Sequence, residues 1–230
     1  MLELTNVTAI YPDKTKVIDS VSFTLKEGEC IALVGENGAG KTSLLHAILG
    51  ILDIPIGEIT VEGIKLSKKT EQQIRQKIGI VFQNPDDQLF MPTVYEDIAF
   101  GPRSMGLTEP ETEIKVNETL KILNISHLYM RSSLRLSGGE KRMAAIATVL
   151  AMQPSILCFD EPTAFLDTKA KRILLEILLK LPHPKIIASH DLPFISQICN
   201  RVLILKDGRL VADTDPSILN DSKLLEEYGL

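Results

Sequence analysis

The chain has 230 residues, enough to bury a sizeable core as one large domain or two small ones. Its composition, 44% hydrophobic and 24% charged, excludes disorder over most of its length. With 25 basic and 30 acidic residues the net charge is -5, which excludes a general electrostatic affinity for nucleic acid but leaves room for a local basic patch.

Residues 2–7 and 20–25 alternate apolar and polar side chains, which predicts two strands. Lys26-Glu27-Gly28-Glu29 is a turn, and Cys30-Ile31-Ala32-Leu33-Val34 is a buried-type strand bounded by glycines. A helix is expected from Lys41 to about Leu49, with short strands over 57–61 and 78–82. Residues 93–128 carry little strand signal. Within them Thr108-Glu109-Pro110-Glu111 reads as a helix start, with Thr at the cap, Pro in the first turn and Glu three residues on. That helix runs to about Leu123, and the stretch is expected to be a helical insertion between two halves of an α/β core.

Strand and helix then alternate again. A helix over 139–152 places Met143, Ile146, Ala147 and Leu150 on one face. Strand 155–159, helix 168–180 and strand 185–188 follow. Residues 201–206 and 209–212 flank Asp207-Gly208, a two-residue hairpin turn. Roughly the last fifteen residues read as short surface helix. The alternation implies a mostly parallel sheet covered on both faces.

Cys30, Cys158 and Cys199 lie far apart in the sequence without metal-ligand spacing. They are expected to be buried reduced thiols, which suits the cytosol. No signal segment opens the chain, and no stretch approaches about 18 uninterrupted apolar residues. Membrane association is therefore expected only through a partner.

The chemistry is concentrated in a few short motifs. Gly35-Glu36-Asn37-Gly38-Ala39-Gly40-Lys41-Thr42 fits the phosphate-binding loop G-x-x-x-x-G-K-[ST], with a strand before it and a helix after it. Its glycines let backbone N–H groups converge on phosphate oxygens, and the helix N-terminus adds partial positive charge. Lys41 is expected to reach the β- and γ-phosphates of ATP and Thr42 to ligate magnesium. A chance match is expected in about one chain in a hundred of this length.

Residues 155–161 form an apolar strand ending in Asp160-Glu161. At the carboxyl end of a parallel strand, Asp160 can hold magnesium through water and Glu161 can polarise an attacking water. Read alone, such a pair is more often structural. Leu136-Ser137-Gly138-Gly139-Glu140 opens the helix over 139–152, with Ser137 where a cap belongs. It reads either as a plain capped helix or as a second phosphate site. His190 follows the strand over 185–188 at the same sheet edge, where it can face the γ-phosphate.

Together these residues resemble the nucleotide-binding subunit of ATP-binding cassette (ABC) proteins over essentially the whole chain. The motifs occur in that family's order: the loop over 35–42, a glutamine loop at Gln83, residues 136–140, Asp160-Glu161 and His190. Leu166-Asp167 matches the family's dimer-contacting aspartate loop, with Phe165 where a smaller residue is usual. Tyr11 stands where the family places an adenine-stacking aromatic. The resemblance implies one ABC ATPase domain over 1–230, a P-loop NTPase core of mostly parallel sheet. An N-terminal antiparallel β region and a helical subdomain over about 90–150 would complete it. It implies that Lys41, Thr42 and Ser43 bind phosphate and magnesium, that Gln83 and Asp160 complete the metal shell, that Glu161 is the general base and that His190 senses the γ-phosphate. Ser137, Gly138, Gly139 and Glu140 would serve ATP held by a second ATPase subunit, in a homodimer or heterodimer.

A narrower resemblance lies in Phe82-Gln83-Asn84-Pro85-Asp86-Asp87-Gln88-Leu89-Phe90 and the run over 92–102. These look like the cobalt and energy-coupling-factor importers, which take up metal ions or vitamins. That implies integral membrane subunits as partners, a peripheral place on the cytoplasmic face of the membrane, and a groove beside Gln83 for a coupling helix. ATPase subunits do not touch the solute, so cobalt, nickel and vitamins stay equally open. Another ABC importer or exporter is the first alternative. An ABC ATPase of DNA maintenance would need long coiled coils between the halves, and no heptad run of that length occurs. A binding module with a dead site conflicts with the presence of Lys41, Asp160, Glu161 and His190.

Overall fold

The N-terminal alternation builds longer strands than its pattern indicates. In the computed structural model, which describes residues 1–228, β1 (Leu2–Ile10) pairs antiparallel with β2 (Lys16–Leu25). Asn6 and Ser20 have φ of 50° and 56°, and the register shifts between Leu4 and Val7. These bulges break the two-residue period, so the alternation over 2–7 and 20–25 stops short of the strand ends.

β3 (Cys30–Val34) runs into the glycine loop and α1 (Lys41–Ile48). β4 (Asp53–Val61) and β5 (Ile64–Lys65) then complete an antiparallel sheet of order β2-β1-β4-β5. α2 (Glu71–Lys77), too short to show a period, leads into β6 (Ile78–Val81). The insertion is helical as expected, built of α3 (Val94–Ser104), α4 (Glu109–Ile122) and α5 (Gly138–Leu150). The Glu111 carboxylate accepts the Thr108 N–H at 2.8 Å, which starts α4 where the sequence places it. α5 departs from the expected single apolar face. Besides Met143, Ile146, Ala147 and Leu150 it buries Arg142, Ala144, Ala145 and Val149, because it lies between β6 and the helices α3 and α4.

The rest of the chain supplies β7 (Ile156–Asp160), α6 (Thr168–Lys180), β8 (Lys185–Ala188), α7 (Leu192–Ile195), β9 (Arg201–Lys206), β10 (Arg209–Thr214) and α8 (Ser222–Tyr228). The second sheet has the order β10-β9-β3-β8-β7-β6 and is parallel except for β10, which forms the expected hairpin with β9. Its strands β3, β7 and β8 are buried on both faces, whereas the edge strand β10 is exposed along one. Cys30, Ala32 and Val34 enter the core shared with the helical insertion, while Ile31 and Leu33 enter the core shared with the antiparallel sheet. Each fully buried aliphatic side chain contributes about 1.5–3 kcal/mol, so both layers hold the strand ends in register.

The chain's end is less of a surface element than expected, since Leu219 and Leu225 are buried in the first of these cores; residues 229 and 230 lie outside the described ones. All three cysteines are buried and unbridged, but the fold brings Cys30 Sγ and Cys199 Sγ to 3.4 Å. Among the described residues no helix is long and apolar enough to cross a membrane.

Candidate active site

Strand order decides what meets at the sheet's carboxyl edge. β3, β8, β7 and β6 are consecutive neighbours, so the segments that follow them also lie side by side. These segments carry the loop over 35–42, His190, Asp160-Glu161 and Gln83 respectively.

The loop owes its shape to two glycines. A Cβ on Gly35 would sit 2.4 Å from the Leu205 carbonyl oxygen, and Gly40, with φ of 105°, caps α1 in a left-handed conformation. No side chain caps α1, and no acidic residue occupies its first turn. Its leading N–H groups are thus available to an anion. The buried Lys41 donates from Nζ to Gly35 O at 2.7 Å and Glu36 O at 3.1 Å, which holds its ammonium over the loop.

Thr42 Oγ1 donates to Asp160 Oδ2 at 2.8 Å. The other carboxylate oxygen, Asp160 Oδ1, is buried without a partner. Burial raises the Asp160 pKa above the ordinary aspartate value; the Thr42 hydrogen bond opposes this and the neighbouring Glu161 adds to it. A hydroxyl and an under-satisfied carboxylate are hard oxygen donors that fit magnesium. Among the described residues no group of three or more His, Cys, Asp or Glu could hold a metal ion. The donor set therefore suits a cation that takes its remaining ligands from phosphate and water.

Glu161 is buried and has φ of 44°. Its N–H donates to Ala188 O at 2.8 Å, fixing the turn against β8. Its Oε2 accepts from His190 Nδ1 at 2.8 Å, from Ser189 Oγ at 3.3 Å and from the His190 N–H at 3.4 Å. The His190 side chain is 69% exposed, so its other face is open to a ligand. A carboxylate held by three donors in a strained turn is fixed in position and can serve as a base.

Tyr11 joins the site through its hydroxyl, 3.0 Å from Ser43 Oγ. Gln83 is exposed at the end of β6 and its carbonyl accepts from Arg142 Nη2 at 2.7 Å. Ser137-Gly138-Gly139-Glu140 is not brought to the loop. Ser137 caps α5 in a reciprocal box with Glu140, whose carboxylate accepts the Ser137 N–H at 2.8 Å. This segment lines a separate cavity of about 910 Å³ with Phe165, Asp167 and Ile173, which contains no residue of the 35–42 loop. Within one chain the two candidate phosphate sites are therefore distinct.

Sequence reasoning missed Arg142, Gln88, Ser189 and Asp97. Arg142 is fully buried, and its Nη1 donates to Phe82 O at 2.6 Å. Burial lowers its pKa to about 10, with Asp160 pulling the other way. Without it two carbonyls would lose their donors, at about 1–3 kcal/mol each if they stay buried. An arginine amid the apolar residues of α5 was the one available signal. Asp97 is buried as well. Its Oδ1 accepts the N–H groups of Phe90 and Met91 at 2.9 Å each, and its Oδ2 has no partner. It lines a groove of about 570 Å³ together with Ile51, Phe82, Gln88, Phe90 and Phe100.

The ABC transporter family model matches residues 18–164. The energy-coupling factor transporter ATP-binding protein EcfA of Methanothermobacter thermautotrophicus is 44% identical over all of this chain and 76% of its own length. Among solved structures, cbiO1 from Clostridium perfringens, described as part of the ABC transporter complex cbiONQ, superposes with a TM-score of 0.86 at 35% identity, covering 98% of this chain and 93% of that one. An ATP-binding cassette dimer in a post-hydrolysis state, bound to ADP and Pi, gives 0.82 at 28% identity, covering 94% and 99%.

Proposed function

This chain belongs to the ABC transporter family and is an ATPase, and on that premise we propose that it energises a membrane importer for a cobalt-type metal ion or a vitamin. The observation that carries the transport reading is the groove below Gln83. It offers the exposed side chains of Phe90 and Phe100, a surface suited to a partner helix with an apolar face. The likeness to EcfA along the whole chain supports an energy-coupling importer, and the likeness to cbiO1, part of the cbiONQ complex, supports membrane subunits as partners. A peripheral position on the cytoplasmic face follows from such partners.

In the proposed mechanism the loop amides over 35–42, Lys41 and Ser43 hold the ATP phosphates, and Tyr11 stacks on adenine. Thr42, Gln83 and Asp160 would hold magnesium, which would supply neutralisation of phosphate charge. Glu161 takes the proton of the attacking water as oxygen bonds to the γ-phosphorus and the bond to the ADP oxygen breaks. His190 fixes the Glu161 carboxylate through Nδ1 and turns its exposed side to the γ-phosphate. Ser137, Gly138, Gly139 and Glu140 act on ATP held by a second ATPase subunit. The separation of their cavity from the loop, and the dimeric ADP-bound relative, support this.

Vesicles carrying this chain with its membrane subunits test the reading. The expected result is ATP-dependent entry of cobalt, nickel or a vitamin, abolished by Glu161→Gln; ATP-driven efflux would overturn import. Turnover by the isolated chain should rise faster than linearly with its concentration, and a linear rise would overturn the shared site.

A further inference from the structure

α5 does more than present Ser137-Gly138-Gly139-Glu140. It grips the segment after β6 at three successive levels. Near its N-terminus Lys141 Nζ pairs with Asp86 Oδ1 at 2.6 Å. One residue on, Arg142 donates from Nη1 to Phe82 O at 2.6 Å and from Nη2 to Gln83 O at 2.7 Å. Further along, Gln88 Nε2 donates to Ala145 O at 2.9 Å and Thr148 Oγ1 at 2.8 Å, while Gln88 Oε1 accepts the Phe82 N–H at 3.2 Å. The central contact is the buried one. A guanidinium presents two donors in a fixed fork, which matches the carbonyls of two consecutive residues and fixes their orientation more tightly than the freely rotating donors of an ammonium.

We propose that Arg142 is a positioning residue that makes the Gln83 loop and the start of α5 a single mechanical unit. The inference rests on the reading above of Gln83 as a metal ligand and of Ser137 as acting on the partner subunit's ATP. Phe82 and Gln88 line the partner groove as well as contacting this clamp. A shift imposed at the groove is thereby delivered together to Gln83, beside this chain's own nucleotide, and to Ser137, which faces the partner's. One docking event is then felt at both ATP sites, and a severed clamp lets the two ends respond separately.

Amide hydrogen exchange on the full chain tests this without depending on turnover. In the unaltered protein, ATP with Mg2+ is expected to slow exchange in peptides over 82–90 and 138–148 by factors within twofold of each other. Independent responses would overturn the proposal. In Arg142→Met the 82–90 peptide is expected to exchange at least tenfold faster and to stop tracking 138–148, with Arg142→Lys intermediate. Half-saturating Mg2+ for hydrolysis should rise at least fivefold in Arg142→Met, while affinity for ATP measured without Mg2+ stays within twofold. Unchanged exchange over 82–90 with unchanged Mg2+ dependence would overturn the role of Arg142. Should the altered chains fail to fold, the comparison in the unaltered protein still decides. Gln83→Ala separates the two ideas: unaltered Mg2+ dependence there would remove Gln83 from the metal shell but leave the coupled exchange intact.

Discussion

Thr42 Oγ1 and Asp160 Oδ2 meet at 2.8 Å although 118 positions separate them in the chain. The bond joins the start of α1 to the end of β7 and marks where magnesium and the phosphates are proposed to sit. Thr42→Val keeps the shape and removes the donor. Half-saturating Mg2+ should rise about tenfold or more in hydrolysis assays, while nucleotide affinity without Mg2+ changes little. An equal loss with and without Mg2+ would place Thr42 on the phosphates alone.

Glu161 is the proposed base for the attacking water, and His190 Nδ1 holds its Oε2 at 2.8 Å. Glu161→Gln is nearly isosteric but cannot take a proton. The rate constant for hydrolysis should fall at least about a hundredfold while ATP remains bound. Size-exclusion chromatography with ATP should then show a dimer. Hydrolysis at the parental rate would remove Glu161 as base.

Ser137 lines a cavity to which Lys41 does not belong, so their substitutions should differ in kind. Lys41→Ala should weaken ATP binding to the isolated chain about tenfold or more in calorimetry. Ser137→Arg should leave that binding intact and stop hydrolysis, because it obstructs only the surface presented to the partner's nucleotide. Loss of monomer binding in Ser137→Arg would show that Ser137 acts within its own chain.

Asp97 supplies a pH test. Burial raises its pKa above the ordinary aspartate value, with the Met91 and Phe90 N–H groups opposing. The folded chain therefore holds this proton more tightly than the unfolded one. Its contribution to stability is largest at low pH and falls as pH rises from the ordinary aspartate value through the raised one. Asp97→Asn abolishes that titration. The stability of Asp97→Asn relative to the parent should increase over this window and then level off, as measured by urea unfolding between about pH 4 and pH 7. A flat difference would refute the assignment.

Phe165 has φ of 62° and is 87% exposed, so a left-handed conformation is imposed on a side chain with little packing to lose. Phe165→Gly should stabilise the monomer by about 0.5–1 kcal/mol, the relief of strain exceeding the added freedom of the unfolded glycine. Chemical denaturation would measure it, and a destabilised variant would show that Phe165 makes a contact worth more than its strain.

Much of this was legible in the residues alone, and the reasons are physical. The loop over 35–42 is contiguous, so its chemistry and its backbone demands occupy the same eight letters. Thr108 and Ser137 cap helices through partners three residues away, Glu111 and Glu140, a distance that local sequence specifies. Besides the buried faces of α5, the elements it misjudged were short or irregular. α2 has too few residues to show a period, and the bulges of β1 and β2 interrupt theirs.

What the sequence determined by itself was therefore the set of candidate reactive groups and the type of most elements, because both are set within a few neighbouring residues. Which groups meet was decided by the tertiary structure. The order β3-β8-β7-β6 sets Thr42 against Asp160 and His190 against Glu161, and it follows from parallel pairings between distant segments that no local period encodes. Arg142 reads as an interruption of an apolar helix until the fold lays the end of β6 across it. The carbonyls Phe82 O and Gln83 O then face its buried guanidinium, and its fork supplies a donor to each.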